Sequence, residues 1–346
     1  MSVRLALLAP LLAVTPLAAA APAEDHAIKE RAEAEKFDGV ILIGEADGSY
    51  RILTIGADPV PVDAVWRWAS ITKQLAAVLT MQEVAKGKLD LDAPVTRYWP
   101  EWKAPDGANI RIRDLLLHNS GLPQPDTSEA DADGIPSFYR AAAVSPADAA
   151  GGFCAGAPRA APPAKFEYNN CDTIVLAEIL RRVTGSAFEV LLRERLAGPL
   201  GLKSVGVYHL GGGIPAHVQP NGEYAELDPL LNLGVYGASG GAYGSIADLW
   251  SFDRALLKGD LLPAGAREAM WQSERSNGFY GFHQWIFPAK LAELFRRDAY
   301  RRTARPNCRI RASQLSAPRN RACGHLLLTP PPRKLWRPLG RKRLRL

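Results

Sequence analysis

Ser70-Ile71-Thr72-Lys73 sets a hydroxyl and an amine three residues apart. In a helix three residues make slightly less than one turn, so the two side chains share a face and can meet. A serine hydroxyl becomes a useful nucleophile only when a base takes its proton, and a lysine withdrawn from water can be that base. The backbone N–H groups of a helix's opening turn point to where an acyl oxyanion would form. Taken alone the four residues are common, since a capping serine followed by a solvated lysine gives the same pattern. Trp66-Arg67-Trp68-Ala69 leads into the serine through bulky residues, as a helix start set in a buried cleft requires. Tyr168-Asn169-Asn170 adds a phenol able to exchange a proton with the serine or the leaving group, and an amide, Asn170, with a donor and an acceptor to hold a substrate. The plain alternative for that triplet is a capping asparagine beside a core tyrosine.

Gly237-Ala238-Ser239-Gly240-Gly241 fits a G-x-S-x-G nucleophile elbow, which gives a rival reading: an α/β-hydrolase-type esterase that uses Ser239 with His283 or His325. Two further glycines nearby favour a structural turn instead. His118, His209, His217 and His283 have no zinc-like spacing and no clustered carboxylates, so they read as loop or core residues. The chemistry then calls for neither metal nor organic cofactor.

These side chains need elements to hold them. Gly39 to Gly44 and Tyr50 to Ile55 are β-type runs joined across an Asp-Gly pair, a hairpin signal. Ile71 to Lys86 has helical periodicity and Gly87 as its stop, which puts Ser70 at the first turn. Arg113 to His118 predicts a short helix. Residues 124–165, rich in Pro, Ala, Gly and Asp, predict an irregular surface excursion. Thr173 to Val183 and Phe188 to Leu196 predict amphipathic helices, and Ser245 followed by Asp248 predicts a capped one.

Met1 to Ala23 reads as a cleaved secretory leader: Arg4, an apolar run from Leu5 to Ala20, and a small-x-small site at Ala21-Pro22-Ala23. The mature chain then starts near Glu24, is periplasmic or secreted, and keeps no stable membrane anchor. In an oxidising compartment Cys154 and Cys171 are expected to form a disulfide. At 47% apolar and 23% charged the composition is that of an ordinary globular protein. The net charge of +6 averages two unlike parts, −9 over residues 1–289 and +15 from Lys290 onward. A basic pI that belongs to the tail alone is no argument for a nucleic-acid partner of the domain.

Ser70 to Lys73 and Tyr168 to Asn170, taken with Gly87-Lys88-Leu89-Asp90-Leu91-Asp92, Leu116-Leu117-His118-Asn119-Ser120-Gly121-Leu122-Pro123 and Ser239-Gly240-Gly241-Ala242-Tyr243-Gly244-Ser245, resemble the serine β-lactamase and penicillin-binding family. The texture is that of class C β-lactamases with their DD-peptidase and esterase relatives. The resemblance covers roughly 37–287. It implies an α+β fold, an antiparallel sheet flanked by helices, with a helical subdomain and the active site between them. It also implies a third motif, Lys-Thr-Gly or a His-x-Gly-like variant, on a late strand that gives the second oxyanion donor. No counterpart follows Trp285, where arginine and proline take over. The domain is therefore read as 24–289, and 290–346 as an atypical Arg/Pro-rich tail that arises from a frame error or is disordered, with the closing strands lost. The expected function is an exported serine hydrolase acylated at Ser70 by a β-lactam, a D-Ala-D-Ala-type peptide or a small ester. An inactive or sensor-type β-lactam-binding module is the alternative.

Overall fold

The computed structural model describes residues 22–288 apart from 36, 46, 57–59, 141–143, 212, 220–229 and 274–278, and beyond them only the backbone of three strands between 309 and 328. The leader therefore lies almost wholly outside the described residues, as does most of the tail.

The expected hairpin is present. Gly39–Gly44 (β1) and Tyr50–Ile55 (β2) pair antiparallel, with Gly39 opposite Ile55 and Gly44 opposite Tyr50. Successive side chains of a strand point to opposite faces, and in β1 this divides two cores. Val40 and Leu42 join the main core, while Ile41 joins a smaller cluster with Ala32, Phe37, Leu53 and Ile55 on the side of the Pro22–Ala34 helix. A strand covered on both faces must be apolar throughout, and Val-Ile-Leu-Ile is.

A second sheet has the order β3-β5-β4, built from Val65–Arg67 (β3), Gly206–Val207 (β4) and Ala242–Ser245 (β5). A third runs β6-β7-β8, from Tyr280–Gly281 (β6), Gln284–Pro288 (β7) and Arg309–Arg311 (β8). Leu315–Arg319 (β9) and Ala322–Leu328 (β10) complete the first sheet in the order β2-β1-β10-β9. All pairings between these strands are antiparallel.

Backbone strands thus follow residue 290, in the stretch that the sequence analysis reads as a tail with the closing strands lost. β10 lies against β1 with Leu326, Leu327 and Leu328 opposite Ile43, Leu42 and Ile41. His325 to Leu328 pair with Ile41 to Gly44 of β1, and the arginines and prolines around the leucines hide them from a periodicity reading.

Thr72–Ala85 is the central helix, and every residue from Thr72 to Met81 is buried. Asn170–Thr184 begins three residues earlier than its periodicity predicts. The Asn169 side chain caps it by accepting from the Cys171 N–H at 2.8 Å, and Gly185, at φ 75°, ends it. Ile246–Lys258 starts at Ser245, whose hydroxyl accepts from the Asp248 N–H at 3.1 Å as predicted. Ile112–Leu116 is the short helix. Phe188–Leu192 is α-helical and continues as a π-type turn over Arg193–Ala197.

The stretch 124–165 is more ordered than its composition predicts. It contains single turns at Pro125–Thr127, Ser137–Tyr139 and Phe153–Ala155 and a helix at Pro146–Gly151, capped by Ser145 and Asp148. Proline at or near the start of a turn sets φ without a long apolar repeat, so periodicity does not register such pieces. Cys154 and Cys171 are joined by a disulfide, which ties this stretch to the first turn of the Asn170–Thr184 helix.

Candidate active site

β3 and β5 deliver the chain to Ser70. The Trp68 N–H donates to the Ala242 carbonyl at 2.9 Å, and its indole N–H donates to the Gly244 carbonyl at 2.9 Å. A Cβ on Gly244 would stand 2.4 Å from the Trp68 ring, so that close approach needs glycine. Ala69 then takes φ 44°, a left-handed backbone that non-glycine residues rarely adopt and that clusters at functional sites. Ser70 follows in a 3₁₀ turn, Ala69–Ile71, two residues ahead of Thr72, where the α-helix proper begins. The Thr72 hydroxyl closes that turn by donating to the Ala69 carbonyl at 2.6 Å, and no side chain caps the start of either the turn or the helix. Ser70 is exposed and Lys73 is buried.

Three acceptors surround the Lys73 amine. Nζ donates to Asn170 Oδ1 at 2.7 Å and to the Ser239 carbonyl at 2.6 Å, and lies 3.4 Å from Ser70 Oγ. It also stands over the Tyr168 ring, 4.8 Å from its centroid. The structure thus brings Ser70, Lys73, Asn170 and Tyr168 together. Tyr168 meets Lys73 through its ring face, and among the described residues no hydrogen bond joins its hydroxyl to Ser70 or Lys73. Asn170 is committed at both ends, because its Nδ2 donates to the Tyr139 hydroxyl at 2.8 Å. Arg67, Ala69, Tyr236 and Gly240 line the same small cleft with Ser70, Asn170 and Ser239.

Ser239 is not an elbow nucleophile. It ends the Leu233–Ser239 turn instead of standing between a strand and a helix, it is buried, and its hydroxyl donates to the Tyr236 carbonyl at 2.6 Å. His283 is engaged elsewhere, with Nε2 3.1 Å from Thr173 Oγ1.

Sequence reasoning quoted His118 and Ser120 in a pattern without giving them work, and it missed Asp172, Tyr139 and Tyr236. His118 Nδ1 lies 2.7 Å from Asp172 Oδ2, and its Nε2 lies 3.2 Å from the Tyr280 hydroxyl. Ser120 donates to the other Asp172 oxygen. Burial, with the charges of His283 and Lys73, holds the His118 imidazole well below its usual range. Burial pushes the Asp172 carboxyl well up, against the Ser120 hydrogen bond and Lys73. This network backs the site: the His118 and Tyr168 rings are 4.7 Å apart. On the other wall Tyr139 stacks on Tyr236 at 4.5 Å and 6°.

A buried lysine against an exposed serine at the head of a central helix, between an antiparallel sheet and a helical part, defines a β-lactamase-type α+β protein. The sequence model of the Beta-lactamase family matches residues 25–284, and the chain belongs to that family. It is 28% identical over 267 residues to esterase EstB of Burkholderia gladioli, covering 65% of this chain and 66% of that one. It is 28% identical over 229 residues to penicillin-binding protein 4 of Amycolatopsis lactamdurans, covering 60% and 55%. The chain thus spans between half and two thirds of the length of these curated relatives. Among solved structures a D-stereospecific amidohydrolase from Streptomyces superposes with a TM-score of 0.66 at 25% identity, covering 77% of this chain and 84% of that one.

Proposed function

We propose that the protein is an exported serine hydrolase that passes through an acyl-enzyme at Ser70, with an ester, a D-Ala-D-Ala-type peptide or a β-lactam as substrate. One observation carries this reading, the set of partners around Lys73. A neutral amine has two N–H groups and one lone pair. With Asn170 Oδ1 and the Ser239 carbonyl taking the two hydrogens, the lone pair is left for the proton of Ser70 Oγ. Oγ attacks the substrate carbonyl carbon as its proton passes to Nζ, and the opening turn of the helix supplies N–H groups to the oxyanion. The carbon–leaving-group bond then breaks, and Tyr168 protonates the departing nitrogen or oxygen. Water attacks the acyl carbon as its proton passes to the Tyr168 phenolate, and the carbon–Oγ bond breaks as Nζ returns its proton to Oγ, which restores all three groups. An esterase, a penicillin-binding protein and an amidohydrolase stand among the similar proteins, which supports this range of substrates.

Purified protein screened against nitrocefin, a D-Ala-D-Ala peptide and a short-chain ester tests the substrate class. Fluorophosphonate labelling tests the nucleophile: Ser70→Ala is expected to abolish it with the fold intact, and labelling that persists in that variant sinks the assignment.

A second reading is a module that is acylated without turnover. It is favoured by the strands after residue 288, none of which carries a Lys-Thr-Gly or His-x-Gly pattern among the described residues. The family match also stops at residue 284. A fluorescent penicillin retained on Ser70 without release supports it. We read the tail as a product of a frame error, which resequencing codons 280 to 300 decides. Export is tested by a mature N-terminus near Glu24 on the secreted protein.

A further inference from the structure

Asn170 carries two different groups on one pivot, and only one orientation serves Lys73. With Oδ1 toward Nζ the amide accepts; turned by half a rotation it would face a donor with a donor. The pivot is fixed from behind. Nδ2 donates to the Tyr139 hydroxyl at 2.8 Å, and the Tyr139 hydroxyl in turn donates to the Asp126 carboxylate. A phenol can donate and accept, whereas an ionised carboxylate only accepts. Asp126 therefore accepts the phenol's hydrogen bond and leaves the oxygen lone pairs for Nδ2, which sends Oδ1 to Lys73. The Tyr139 ring has little freedom to turn away, since it is 2% exposed and stacked on Tyr236. Burial, with Tyr236 and Asp126 beside it, pushes the Tyr139 phenol well up, so it keeps the proton this polarity needs.

We infer that Tyr139, oriented by Asp126, is a positioning residue of the active site: it locks the Asn170 amide with its oxygen toward Lys73. The inference rests on the acyl-transfer reading of Ser70 and Lys73. It acts on no substrate atom. It keeps one of the two acceptors in place that leave the Lys73 lone pair to Ser70.

The test uses the full chain and follows the rate of fluorophosphonate labelling in Tyr139→Phe, Asp126→Leu and Asp126→Asn, with kcat and KM on whichever substrate the screen yields. Tyr139→Phe keeps the stacked ring and removes the acceptor. It and Asp126→Leu are expected to slow labelling roughly tenfold or more, the size of losing a hydrogen bond to a charged group. The loss falls on kcat more than on KM, because the lysine that serves the chemical step has lost an oriented acceptor while the cleft keeps its walls. Asp126→Asn still offers a carbonyl to the phenol and recovers most of the rate that Asp126→Leu loses.

Wild-type labelling in Tyr139→Phe, or a lowered melting midpoint with a loss that falls on KM alone, overturns the inference. Should Tyr139→Phe fail to fold, equal rates in the two Asp126 variants overturn it. Labelling that survives Ser70→Ala, or is absent from the wild type, removes the acyl-transfer reading itself and is thereby distinguished from failure of this inference alone.

Discussion

Lys73 Nζ lies 2.6 Å from the carbonyl oxygen of Ser239, so the glycine-rich loop that resembles a nucleophile elbow serves the site through its backbone. Ser239→Ala keeps that carbonyl and removes only the hydroxyl bond to Tyr236. Labelling at Ser70 is expected to stay near wild type, with stability lower by about 1 kcal/mol. Loss of labelling in this variant but not in Ser70→Ala would restore the elbow reading.

Replacing the base separates charge from proton transfer. Lys73→Arg keeps a cation, but a guanidinium cannot take the serine's proton. Its acylation rate is expected to fall about as far as that of Lys73→Ala, by roughly 10²–10⁴-fold. Stopped-flow labelling measures this, and a wild-type rate in Lys73→Arg refutes the scheme.

Tyr168→Phe preserves the ring face that Lys73 stands over and removes the hydroxyl. Turnover is expected to drop roughly 10²–10⁴-fold, while thermal melting stays close to wild type. An unchanged rate would reduce Tyr168 to a wall of the cleft.

The Cys154–Cys171 bond spans a sequence separation of 17. Closing a loop of that size restricts the unfolded chain by about 3 kcal/mol. Cys154→Ala should therefore lower the urea midpoint, and a reductant should do the same to the wild type while leaving the variant where it is. A wild type insensitive to reductant contradicts this.

Stability should decline on the acid side for an identifiable reason. Burial, joined by Lys73 and for His118 also by His283, holds both imidazoles well below 6.5 in the folded state. As pH falls through about 6.5 the unfolded chain takes up protons there that the native state refuses, so stability falls. Asp172 has the opposite sign, because its raised carboxyl holds a proton above 3.8 that the unfolded chain has lost. Two imidazoles oppose one carboxyl, so where the windows overlap the net slope keeps the sign the imidazoles give it. His283→Asn, at a φ of 53° that asparagine tolerates, should flatten this slope in urea titrations at several pH values. An unaltered slope rejects the account.

How far the site was legible depended on sequence distance. Ser70 and Lys73 are three residues apart on one turn, so their meeting follows from helix geometry alone. Tyr139 reaches Asn170 across 31 residues, from a single turn whose residues carry no helical repeat. Asp172 hides inside an amphipathic helix, where a charge normally marks the solvent face; here it is buried against His118. Ser239 was visible for the wrong atom, because a backbone acceptor leaves no side-chain signature. The β1–β2 hairpin and the helix capped by Ser245 were legible because local turn and cap chemistry specifies them. β10 was not, because its partner lies at the other end of the chain.

The full burial of Thr72 to Met81 has a kinetic side. Amide protons in a segment with no solvent-facing side exchange only when the whole domain opens, whereas turns near the surface exchange through local fluctuations. The amides of Leu75 to Leu79 should exchange at the rate of global unfolding, and those of the exposed turn from Ala132 to Gly134 much faster. The attacking lysine and serine are then carried by a segment that persists as long as the domain does, while exposed turns away from the cleft open and re-form many times within that lifetime.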